Sequence, residues 1–307
     1  MLHTQNKQMQ ASNKAARFFY FPLTKIIVAL IACLGILVIS QIVAAKFLLD
    51  FILDKDHRNL LKGLLVSVML IGSYILLFRY YEKRRISELS AKGLGKNVLS
   101  GLAIGTVLQC LTFLVISLFG EFEIVSQNPW TFMIVPFSVA LTVAVIEEIL
   151  IRGIIFRIIE ERLGSYAALV ISAVIFGALH LANPNSTLIT GLCITIQAGL
   201  LFGAAYIYSR NLWFLIAIHF AWNFMQSGIF GAVTSGTEKT GSLLNTKISG
   251  STLITGGEFG PEATIQATLF CLTATMVLMY LNHKQNKIIR PNWLTKKEVK
   301  DLPQPYA

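Results

Sequence analysis

Uncharged apolar runs recur along the chain, each about 17–25 residues long and so able to cross a bilayer as a helix. They fall at roughly 26–49, 60–79, 97–120, 131–158, 165–182, 187–209, 211–232 and 262–282. From Leu163 to Ser209 there is no Asp, Glu, Lys or Arg at all. Within that stretch Asn183-Pro184-Asn185-Ser186 is a turn cluster, because proline ends one helix and the polar residues start the next. The pattern predicts an all-α polytopic membrane protein, a bundle of about eight transmembrane helices over 25–283. Segment 1–24 precedes it and a basic tail, 284–307, follows. Between the last two spans lies the one long connection, about 232–261, rich in Gly, Ser and Thr. Its end, Gly256 to Glu262, reads as a turn into the last helix, with Pro261 and the acid Glu262 in the first turn. A gating role for this segment is the alternative.

Composition agrees with the pattern. Of 307 residues 54% are hydrophobic and 14% charged, against about 25% charged in soluble domains. The net charge of +10 would suit nucleic acid in a soluble chain. Here the cations lie between spans, and membrane orientation explains them better, so no nucleic-acid partner is expected. With the N-terminus inside, the cytoplasmic segments hold 19 Lys and Arg and the opposite segments hold 5. Both termini are therefore expected on the cytoplasmic side, in the plasma membrane of a prokaryote. The basic start resembles a signal sequence, but the run from Ile26 to Ala45 is too long for one and predicts a retained first span. The tail is expected to lie against anionic lipid headgroups. Cys33, Cys110, Cys193 and Cys271 each fall inside a span, far apart, and read as buried structural thiols.

Some polar residues sit where lipid-facing helices do not keep them. Glu147, Glu148 and Arg152 interrupt the apolar run from Phe132 to Phe156. Unpaired and unused, three such charges would oppose insertion by about 8–10 kcal/mol. Taken alone, the stretch could be a structural ion pair or a helix end that reaches water. His180, near the end of the fifth span, and His219 with Asn223, in the seventh, change that weighing. His219 and Asn223 are four apart and share a helix face, as do Glu148 and Arg152. Glu147 points about 100° away from Glu148. Arg152 is thus expected to anchor Glu148, leaving Glu147 the freer acid and the better general base. At about 1.5 Å per residue, Glu147 lies about 16–18 Å from the basic end, His180 about 22 Å and His219 about 12 Å, so the three can converge. Gly153 and Gly177 would let helices approach closely at this level.

The three pieces in order, Glu147-Glu148-Ile-Leu-Ile-Arg152, Phe176-Gly-Ala-Leu-His180 and His219-Phe-Ala-Trp-Asn223, resemble the CPBP family of CAAX proteases and bacteriocin-processing enzymes, also called the Abi family. The resemblance covers about 131–230. It implies an intramembrane endopeptidase, similar to type II CAAX prenyl endopeptidases, whose cavity opens toward the cytosol. Glu147 with His180 would activate water, His219 and Asn223 would be oxyanion donors, and Glu148 and Arg152 would support the site. The substrate would be a membrane-associated or prenylated protein or peptide, and lipid the other partner. Glu147, His180 and His219 could instead hold zinc in an open three-ligand site. The chain has no HExxH spacing on one helix, and the metal-free water site is preferred. Two other readings compete: a non-catalytic immunity or scaffold protein on the same fold, and a proton-coupled transporter using the same intramembrane Glu and His. The lack of two repeated halves counts against the transporter.

Overall fold

The structure, a computed structural model, describes Phe19 and residues 21–43 and 54–294. Most of segment 1–24, the end of the first span at 44–49 and the tail from 295 lie outside the described residues. Helix α1 is Pro22–Val43, α2 Lys55–Tyr81 and α3 Leu94–Phe119. The next hydrophobic stretch starts with a 3-10 turn, Trp130–Met133, and runs through α4 (Ile134–Glu147), a π-helical segment (Glu148–Phe156) and α5 (Arg157–His180). The sixth span joins α6 (Leu188–Ile194) to α7 (Leu201–Ser209) through a second π segment, Thr195–Leu200. Helix α8 is Leu212–Phe224, extended by a third π segment, Met225–Ile229. A short α9 (Thr252–Thr255) precedes the last span, α10 (Ile265–Lys284).

Seven stretches among the described residues are long and apolar enough to cross a membrane, and the longest is Trp130–His180. That one is two legs. Gly164 has φ 79° and ψ 172° inside it, and the chain doubles back there. A Cβ at Gly164 would come within 2.7 Å of the Ile289 carbonyl, so both the positive φ and the approach of the tail call for glycine. Counting its two legs separately gives eight apolar legs, and the fold is the all-α membrane bundle that hydropathy predicts.

Packing depends on small residues, as expected where lipid supplies no hydrophobic drive between helices. Helix α3 lies along α8, and α2 along α4. A Cβ on Gly101 would sit 2.5 Å from the Phe214 carbonyl, and one on Gly105 would collide with that of Ile218. A Cβ on Gly177 would collide with Thr195, which brings α5 against the second π segment. Outward positions stay apolar, among them Ile31, Val68 and Leu188. Cys33 and Cys271 are buried as expected, but Cys193 is half-buried and Cys110 faces outward, so burial is not a common property of the four thiols.

The long connection is more structured than its composition suggests. Strand β1 (Glu121–Gln127) pairs antiparallel with β2 (Leu244–Ser249), from Glu121 opposite Ser249 to Gln127 opposite Leu244, with a register irregularity between Ile124 and Ser126. Phe122 of β1 packs edge-on against Phe113 and Phe230, which stack on each other. The ribbon thereby ties the end of α3 to the end of α8. The turn before the last span also differs from expectation. Pro261–Ala263 is a separate 3-10 turn, and Thr264 caps α10 by accepting from the Ala267 amide. Glu262 therefore does not serve the helix dipole.

Candidate active site

Arg152 is the structural centre of the site. Its side chain is fully buried and donates to Glu148 Oε1 at 3.0 Å. The other guanidinium nitrogen donates to the carbonyls of Ala198 (2.9 Å) and Gly199 (3.2 Å) in the second π segment. The guanidinium also lies over the ring of Phe176, 4.5 Å from the centroid. Glu148 is fully buried too. The expected pair along the helix is present, and it takes a second partner that spacing did not reveal. His219 Nδ1 donates to the same Glu148 Oε1 at 3.0 Å. Glu148 thus bridges the first motif to the third.

That bond turns the His219 ring so that Nε2 points at Glu147, 3.9 Å from Oε2. The Glu147 side chain keeps about 28% of its surface exposed, while Oε2 itself is buried and accepts no hydrogen bond from the protein. His180 Nδ1 donates to the Phe176 carbonyl at 2.8 Å, so its Nε2 is not committed to the protein backbone. Phe176 and His180, four apart on α5, face the same way, with rings 4.7 Å apart. Asn223, one turn beyond His219, is largely buried. Glu147, His180, His219 and Asn223 all line one cavity of about 250 Å³. No hydrogen bond joins Glu147 to His180 directly.

The π segments begin at the motifs or next to them: at Glu148, opposite Arg152 at Thr195, and just after Asn223. Each widens the helix locally, and such bulges are common at functional sites. An ideal 3.6 period cannot foresee them.

Glu262 also lines this cavity and was missed as a site residue. It is almost fully buried. Oε2 accepts from the Ser235 amide (2.6 Å) and hydroxyl (2.8 Å), and Oε1 accepts from Trp222 Nε1 at 3.3 Å. Burial pushes its carboxyl above the ordinary range, against the lowering effect of its bonds to Ser235. Its backbone carbonyl accepts from Gln197 at 2.6 Å. The sequence signal was there, an acid between proline and a span, but it matched a helix start equally well.

Glu147, His180 and His219 do not form a metal site here. Among the described residues no three His, Cys, Asp or Glu side chains gather as metal ligands. No step is therefore routed through zinc.

The cavity is walled by α4 from Pro136 to Glu147, the end of α5, the second π segment with Leu201 and Phe202, α8 from His219 onward, the connection at 232–240, Glu262 and Cys271. The cation-rich connections, with Arg84, Arg157, Arg210 and Lys287, gather at the end of the bundle away from the β ribbon.

Buried carboxylates and imidazoles thus gather around one cavity between apolar helices. Residues 128–225 match the family model described as Type II CAAX prenyl endopeptidase Rce1-like, which establishes the family resemblance carried by the three motifs. The matched stretch is about a third of the chain, and over it the chain is similar to type II CAAX prenyl endopeptidases. The match ends before the β2 strand and Glu262. No curated protein and no solved structure matches the chain.

Proposed function

We propose that the protein hydrolyses a peptide bond of a membrane-associated polypeptide with water activated at Glu147. Glu147 Oε2 takes a proton from a water that also donates to His180 Nε2. The resulting hydroxide attacks the carbonyl carbon, and the proton passes to the amide nitrogen as the C–N bond breaks. His219, its ring oriented by Glu148, and Asn223, through its amide N–H, are the oxyanion donors. Together they form an oxyanion hole, in which one donor is worth about 10²–10³ in rate at comparable sites. Glu148 and Arg152 act as positioning residues, holding the His219 ring.

One observation carries this reading. A carboxylate oxygen without a protein hydrogen bond faces an imidazole nitrogen at 3.9 Å inside a cavity. The test is to offer the purified protein a library of membrane-inserted peptides and to identify new termini by mass spectrometry. New termini are expected, with substoichiometric zinc in the active sample. Folded protein that generates none overturns the hydrolytic reading. Stoichiometric zinc whose removal abolishes cleavage overturns the metal-free water site.

A further inference from the structure

We infer that Gln197 and Thr234 form a subsite that reads the peptide backbone of the substrate. Gln197 Oε1 accepts one of its amide N–H groups, and the Thr234 hydroxyl donates to one of its carbonyls. This rests on the hydrolytic reading above and adds how the polypeptide is held beside the reacting bond.

Among the described residues that line the cavity, three side-chain oxygens are buried without a hydrogen bond from the protein: Glu147 Oε2, Gln197 Oε1 and Thr234 Oγ1. Leaving a buried polar atom unpaired is costly, and native proteins keep few of them. Glu147 Oε2 is the proposed base. The other two have no part in that chemistry, yet they belong to walls of the same cavity.

Gln197 is held so that its oxygen is the atom left over. The residue is only 2% exposed. Nε2 donates to the Glu262 carbonyl at 2.6 Å and to the Thr268 hydroxyl at 2.7 Å. Thr268 gives its own proton to the Thr264 carbonyl at 2.9 Å, so toward Gln197 its oxygen accepts. A flipped amide would set Oε1 against two acceptors, which fixes the orientation. Arg152 holds the next two carbonyls, those of Ala198 and Gly199, and pairs with Glu148 beside Glu147. Subsite and base therefore hang on one guanidinium.

Thr234 is fixed from both sides of its turn. Its carbonyl accepts from the Thr237 amide at 3.0 Å and hydroxyl at 2.7 Å. Ser235, the next residue, is pinned by the Glu262 carboxylate and by Asn183, whose side-chain amide donates to the Ser235 carbonyl at 3.1 Å. Glu262 thus joins the two halves of the subsite, through its carbonyl to Gln197 and through its carboxylate to the neighbour of Thr234. A fixed acceptor and a fixed hydroxyl complement the N–H and C=O that each residue of a chain offers whatever its side chain, proline alone lacking the N–H. The wall around them is apolar, with Val139, Phe176 and Leu201. The subsite takes a secondary amide and rejects proline or an N-methylated residue at one position.

The probes are fluorescently labelled, membrane-inserted peptides of the library above, remade with one backbone amide at a time N-methylated. Binding is measured on Glu147→Gln, which keeps the subsite and lacks the base, and cleavage on the unaltered protein. Methylation at one position is expected to weaken binding about tenfold and to raise KM about tenfold with kcat little changed. In Gln197→Met that penalty is expected to vanish, because losses on two groups in contact are not additive. That variant also gives up the bonds to Glu262 and Thr268, so Thr234→Val is measured beside it. Valine removes only the unpaired hydroxyl, and KM for unmethylated peptides is expected to rise about three- to tenfold at an unchanged melting temperature. Cleavage with no sensitive position, a penalty that persists in folded Gln197→Met, or an unchanged KM in Thr234→Val overturns the subsite and leaves the hydrolytic reading standing. Peptides that bind with one sensitive position but are never cut overturn the hydrolytic reading and leave the subsite. Absence of binding overturns both.

Discussion

The basic end of the bundle and the cavity treat acidic side chains in opposite ways. At the basic end Glu82, Glu88, Glu160 and Glu161 each meet a cation: Glu82 meets Lys25, Arg84 and Arg157; Glu88 meets Arg84; Glu160 meets Arg210; and Glu161 meets Arg157. Around the cavity Glu147 faces only His219, and Glu262 is held by a hydroxyl, an amide and an indole. Glu148 marks the boundary, paired with Arg152 on one side and His219 on the other. Burying a charge is costly unless it is paired or put to use. Paired acids at the basic end therefore read as architecture, and acids without cations around the cavity as chemistry.

Glu147→Gln breaks the chemical side of this comparison most directly. It keeps the shape and removes the base, and a positioned base contributes about 10²–10⁴ in rate. Cleavage is expected to fall by about that factor while the amount of folded, inserted protein is unchanged. Wild-type turnover in the variant would place the reaction elsewhere.

Arg152→Ala tests the architectural side. Removing one partner of a fully buried pair leaves the other charge uncompensated, at a cost of about 3–5 kcal/mol. Here the loss also frees the Ala198 and Gly199 carbonyls and the cation contact on Phe176. Folding yield and melting temperature in detergent are expected to drop well below those of Glu147→Gln. Equal stability of the two variants would erase the distinction between anchor and base.

The Glu148–Arg152 pair was legible in the sequence because charge in a membrane span is expensive and a helix has a fixed period. The same two facts gave the apolar legs and the shared face of His219 and Asn223. Other features were hidden for definite reasons. The second role of Glu148 depends on the position of α8, which is set by Gly101 and Gly105 packing against it, and no local period encodes that contact. The π segments insert residues that a 3.6 repeat does not anticipate. The β ribbon joins stretches more than a hundred residues apart, in a connection whose Gly, Ser and Thr suggested only a loop. Glu262 was mistaken for a dipole-complementing acid because Pro261 and Glu262 have the order of a helix start, yet Thr264 supplies the cap.

Glu262→Gln gives a smaller effect and sharpens the status of the third cavity acid. The amide keeps an oxygen for Trp222 or Ser235 but cannot accept all three bonds, and a lost bond to a charged group is worth about 1.5–3 kcal/mol. The connection at 232–240 is expected to loosen, seen as faster proteolysis there, with a higher KM and a nearly unchanged kcat. A large fall in kcat with unchanged proteolysis would make Glu262 a participant in the reaction, not a tether.

The smallest effect is expected from pH at the basic end. Burial alone would raise the Glu82 and Glu88 carboxyls. Arg157 and Lys25 outweigh it at Glu82, as Arg84 and Tyr74 do at Glu88, and both are held below the ordinary carboxylate range. A carboxyl lowered in the folded state stabilises it at every pH above the unfolded value, about 4.3 for Glu. That contribution is lost as pH falls through the folded value. Stability should thus be level from neutrality to about pH 5 and decline below about pH 4. Tyr74 also donates to the Gly153 carbonyl at 3.0 Å, one residue from Arg152, so the pair reaches the anchor through a single side chain. In Glu88→Gln the acid decline is expected to be shallower and stability at neutral pH slightly lower, with cleavage at pH 7 close to wild type. An unchanged acid limb in that variant would mean that the ion pairs of the basic end do not set its acid stability, and the contrast between basic end and cavity would then rest on the cavity alone.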